Sequence, residues 1–135
     1  MAEPDPMLQA RIVYMILNKK TEEALQLLSN FYNLKPPRIA VGTVKGKRRT
    51  AYAVYVTREN KIYALNSDIL YNPFVIIHEF YHHLRSRSGV HKGTERKADS
   101  YARSFIESYA SVVKAAKGRA EAGRSPKDCE QVADY

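Results

Sequence analysis

The chain has 135 residues and a mass of 15.4 kDa, the usual size of one domain, and 44% hydrophobic content suffices for one core. Its lone Cys129 excludes an intramolecular disulfide and the paired thiolates of a zinc finger, so any metal must be held by imidazole and carboxylate. The formal net charge of +8, with a pI near 9.6, suits nucleic acid, anionic surfaces or acidic substrates without dictating a fold.

In chain order, the opening MAEPDPMLQA lacks the basic-then-apolar order of a secretory signal. No run approaches the roughly 18 consecutive apolar residues of a membrane span, so the expectation is a soluble, intracellular, cytoplasmic protein. Residues 7–17 and 21–34 carry apolar groups at helical spacing, with Thr21, Glu22 and Glu23 opening the second helix. Ala24, Leu25, Leu28, Phe31 and Tyr32 form its inward stripe, and Pro36 and Pro37 stop it.

From Arg38 the pattern becomes β-branched and aromatic, predicting strands over 39–44, 51–57 and 61–66. Lys45-Gly46-Lys47-Arg48-Arg49 suits a hairpin and Arg58-Glu59-Asn60 a second tight turn, so the three strands are expected as an antiparallel meander. The basic hairpin tip reads first as a solvated turn and second as a nucleic-acid contact. The ten tyrosines could stack on bases, but several fall on core faces and pack there by default.

Asn72-Pro73 starts a third helix, asparagine as cap and proline in the first turn, with Gly89 as its stop. Thr94 caps a fourth, running to about Lys117 before Gly118. The fold class expected is α+β in the order ααβββαα: a three-stranded, mainly antiparallel sheet packed on an active-site helix and a glutamate helix. Residues 1–118 make the single domain and 119–135 a polar C-terminal tail.

His78-Glu79-Phe80-Tyr81-His82 is an H-E-x-x-H segment in helical context. At about 100° per residue the two histidines lie about 40° apart and one turn along, so both imidazoles can converge on one zinc ion. Phe74, Ile77, Phe80, Tyr81 and Leu84 form an apolar stripe beside them, and Glu79, on the far side of His78, is the candidate general base. A catalytic zinc needs a third protein ligand. Glu95 is the best candidate, since it shares a face with Ala98, Asp99, Ala102, Phe105 and Ile106, where an unpaired carboxylate would be costly. Asp99 would accept the remaining ring N–H of a zinc-bound histidine, and small Ala98 and Ala102 would let the helices approach. His91 is an alternative third ligand, and His83, about 100° from His82, is expected at solvent or an interface.

HEFYH followed by E-R-K-A-D resembles the gluzincin clan of metallopeptidases, in which H-E-x-x-H precedes a second-helix glutamate with an aspartate four residues after it. Size and element order resemble most closely the minigluzincins, small single-domain archaeal peptidases, and less closely the ImmA/IrrE-like regulatory proteases. The resemblance covers about residues 38–113. It implies one catalytic zinc, peptide-bond hydrolysis, and an extended peptide or protein substrate pairing with the sheet's edge strand, which by chain order would be 61–66. It also implies a tail able to block the site, as in zymogens. Only 12 residues separate His82 from Glu95, fewer than in larger gluzincins. Those enzymes supply a transition-state donor for which Tyr81, Tyr101 and His91 are the candidates here. The alternative function is a basic DNA-associated protein with a structural zinc, or proteolysis gated by DNA.

Overall fold

The computed structural model describes residues 3–42, 52–87 and 95–123. The hairpin expected at 45–49, Gly89, His91, Thr94 and the chain beyond 123 lie outside them. α1 (Pro6–Leu17) opens as helix chemistry dictates: Asp5 accepts a hydrogen bond from the Leu8 N–H at 2.8 Å, and Pro6 occupies the first turn. α2 (Thr21–Phe31) starts at Thr21, whose hydroxyl donates to the Leu70 carbonyl at 2.9 Å rather than capping the helix. It ends short of the expected residue 34, because Asn33 turns left-handed at φ 57° ahead of Pro36 and Pro37. Ala24, Leu25 and Leu28 point inward as their spacing requires, while Phe31 is left 43% exposed at the helix end.

The fold is α+β, but its sheet is not a meander. β1 (Arg38–Val41), β2 (Ala53–Val56) and β3 (Lys61–Ala64) lie in the order β1-β3-β2, with β1 parallel and β2 antiparallel to β3. The tight turn expected at residues 58–60 is present: a 3-10 turn at Thr57–Glu59, then Asn60 at φ 53°, joins β2 to β3 antiparallel. Burial matches the central place of β3: Ile62 and Ala64 are fully buried, whereas β1 and β2 have no buried residue. The strand expected at 61–66 is therefore central, running Lys61–Ala64, and among the described residues β1 and β2 are the edges.

Asn66 caps a short helix that the pattern did not announce, α3 (Ser67–Leu70). α4 (Pro73–Arg87) follows, with the Asn72 side chain accepting from the Val75 N–H at 3.3 Å. α5 (Glu95–Gly123) runs through Gly118, which was expected to close it. A mid-helix glycine costs only about 1 kcal/mol against alanine, and Ala115, Ala116 and Lys117 lead into it as strong helix formers.

α1 and α4 both pack on α5, α2 packs on α1, and β2 and β3 lie against α4. Ile12, Ile16, Ile77, Phe80 and Phe105, each fully buried, join these layers into one core. Ala98 and Ala102 are also fully buried, which brings the α4 and α5 backbones close. Among the described residues no helix is long and apolar enough to cross a membrane.

Candidate metal centre

α4 is held by its apolar arc: Ile76, Ile77, Phe80, Tyr81 and Leu84 are all buried. The opposite arc therefore turns His78 and His82 toward the start of α5, their ring centres 5.1 Å apart. Glu95, the first residue of α5, meets both. Its Oε2 lies 2.8 Å from His78 Nε2 and its Oε1 2.8 Å from His82 Nε2. One ligand atom from each of the three residues falls within 4.8 Å of the others, so this group could hold a metal ion.

The donor set fits a cation. Asp99 Oδ1 lies 2.8 Å from His78 Nδ1 and, being a carboxylate oxygen, accepts the proton there. That leaves the Nε2 lone pair of a neutral His78 facing the Glu95 carboxylate, an arrangement that is repulsive unless a proton or a metal ion lies between them. The expectation for Glu95 and Asp99 is thus met in geometry. Its stated reason is not, because the Glu95 side chain is 76% exposed. At the solvent end of α5 its carboxylate bears little desolvation cost, and convergence with the two imidazoles is what marks it.

Glu79 is 8% exposed, with Oε2 3.9 Å from His78 Nε2. Burial pushes its carboxyl up to about 7, reinforced by the Glu95 charge and opposed by His78 and a backbone hydrogen bond with Tyr55. With His82, Ser86 and Glu95 it lines a cleft of about 500 Å³ whose other wall is β2, through Ala53, Val54 and Tyr55, together with Thr57. A buried carboxyl of raised pKa, opening on a cleft beside three groups that could hold a metal ion, is placed to move a proton.

His83 was expected at solvent, and the structure places it in the core, fully buried. The angular distance from His82 was read correctly, but on that wheel it leads to Ile76 and Phe80, seven and three positions earlier, and so to the buried arc. Its Nε2 lies 2.9 Å from the Lys35 carbonyl and its Nδ1 3.0 Å from the Tyr55 hydroxyl. Burial pushes its pKa down to about 4. Neither tyrosine considered as a transition-state donor reaches the cleft lining. The Tyr101 hydroxyl bonds that of Tyr32 at 2.9 Å, and the Tyr81 ring packs on Tyr101 with centres 5.3 Å apart.

No protein-family model, curated protein or solved structure matches the chain.

Proposed function

We propose that the protein is a small zinc-dependent metallopeptidase. The carrying observation is the convergence of His78, His82 and Glu95 on one point beside a buried carboxyl, at a cleft walled by β2. Two imidazoles and a carboxylate suit zinc, and three protein ligands leave a coordination position for chemistry. Zinc bound there supplies Lewis acidity toward a carbonyl oxygen and a water.

The chain's own residues do the rest. Glu79, buried at the cleft beside the three candidate ligands, takes a proton from the attacking water and returns it to the leaving amine. Asp99 holds the His78 ring in the tautomer that leaves Nε2 free for a metal. Among the described residues no strand pairs with the outer side of β2, along which an extended peptide can add as a strand. The substrate-pairing strand is thus β2 rather than the central 61–66 segment. The resemblance of HEFYH and E-R-K-A-D to gluzincins supports the same reading.

Zinc content of wild type, His78→Ala and Glu95→Ala, read beside casein cleavage, tests this. Zinc should bind one per chain in the wild type and be lost in both variants, and Glu79→Gln should keep zinc while losing cleavage. The net charge of +8 favours the second reading, a DNA-associated protein with a structural zinc. Salt-dependent DNA binding without cleavage of any protein would favour that reading instead.

A further inference from the structure

His83 has no part in the chemistry above, yet it is a fully buried histidine bonded at both ring nitrogens. A backbone carbonyl only accepts, so the contact to Lys35 O puts the ring proton on Nε2. Nδ1 then offers a lone pair, and the Tyr55 hydroxyl donates to it at 3.0 Å. The one hydroxyl proton has a second acceptor in the Asn60 carboxamide oxygen at 3.2 Å, and is shared between it and the nearer Nδ1; the Tyr55 and His83 rings meet edge to face with centres 5.4 Å apart. In the sheet register Tyr55 stands opposite the fully buried Ile62, hence on the face turned to α4. Glu79 and His83 are one turn apart on that helix, so Tyr55 is gripped twice by a single ridge of α4. Its backbone bonds the Glu79 carboxylate and its side chain bonds His83.

We propose that His83 is a positioning residue for the cleft: by holding the Tyr55 hydroxyl it sets the height and register of β2 over the metal-binding helix. This rests on the peptidase reading for what lies along β2, an extended peptide chain. The metal ligands occupy the other side of the α4 wheel and do not depend on the Tyr55–His83 bond. Releasing it loosens one of the two holds on Tyr55 and leaves the ligand set in place, so substrate alignment suffers while zinc remains.

Tyr55→Phe removes the hydroxyl alone and is the first test. Zinc content should stay at the wild-type level. Amide hydrogen exchange over Ala53–Val56 should quicken about fivefold, the scale of one hydrogen bond, while that of α4 is unchanged. KM for casein should rise by a similar factor with kcat retained. His83→Leu should behave as Tyr55→Phe does, and His83→Gln should stay near wild type, because a carboxamide also offers one donor and one acceptor. If Tyr55→Phe does not fold, the His83→Leu and His83→Gln pair decides by the same readouts.

Unchanged exchange in β2 overturns the proposal, as does loss of zinc or a fall in kcat at constant KM. A wild type that cleaves nothing, combined with faster β2 exchange in Tyr55→Phe, removes the peptidase reading but supports His83 as the lock on β2.

Discussion

Asp99 Oδ1 lies 2.8 Å from His78 Nδ1, on the side of the ring opposite Glu95. The aspartate therefore orients a ring that could ligate a metal and stands outside the group that could hold the ion. Asp99→Ala is expected to weaken zinc binding about 10- to 100-fold. The fold should persist, because the Asp99 side chain is 46% exposed. A competition titration against a chromogenic chelator, with circular dichroism as the control, measures both.

Glu79 should make the metal-free protein less stable as pH rises. Its folded pKa of about 7 exceeds the reference 4.5. Between those values the native state holds a proton that the unfolded chain has released, so stability is full below pH 4.5 and is lost as pH climbs through 7. The ceiling is about 3 kcal/mol. Glu79→Gln removes the penalty, so metal-free Glu79→Gln should be more stable than wild type at pH 8 by urea denaturation. The same variant should lose cleavage by at least about a hundredfold, the scale of general-base catalysis.

His83 works in the opposite sense. Its folded pKa of about 4 lies below the reference 6.5, so the unfolded chain binds the proton first. The stabilisation is fully present above pH 6.5 and is lost as pH falls toward 4. Because this slope partly offsets that of Glu79, it is best read as a difference between wild type and His83→Gln. Wild type should lose up to about 3 kcal/mol relative to that variant between pH 7 and pH 4. A constant difference across that range would show that the buried imidazole is not the group being protonated.

Helix spacing should control the metal separately from overall stability. Ala102 is fully buried on α5, which packs on α4. Ala102→Leu is expected to destabilise by about 1–3 kcal/mol and to lower zinc affinity in the molecules that remain folded. Phe105→Ala, further along α5 and also fully buried, should cost more stability, about 3–5 kcal/mol. It should leave zinc affinity nearly intact. Similar affinity losses in both would mean that the site senses stability rather than helix separation.

Local periodicity made α4 and its contents legible in the sequence. Asn72-Pro73 announced the helix start, and the spacing of His78 from His82, and of Glu95 from Asp99, depends only on helix geometry. The apolar arc of α4 and the small residues of α5 followed from the same rule. The start of β3 was also within reach, since Asn60 tolerates the left-handed turn that precedes it.

What the chain pattern could not decide were relationships between segments distant in sequence. Strand order is a matter of tertiary pairing: β3 lies at the centre, and β2, an edge among the described residues, lies along α4 as a wall of the cleft. His83 looked like a surface residue until Tyr55 and the Lys35 carbonyl, both remote along the chain, gave its two nitrogens partners. Glu95 was singled out by an argument from burial, yet its side chain is mostly exposed and meets the histidines through the packing of α5 on α4. Periodicity fixes the direction of a side chain from its own helix, whereas what it meets there depends on how the elements pack.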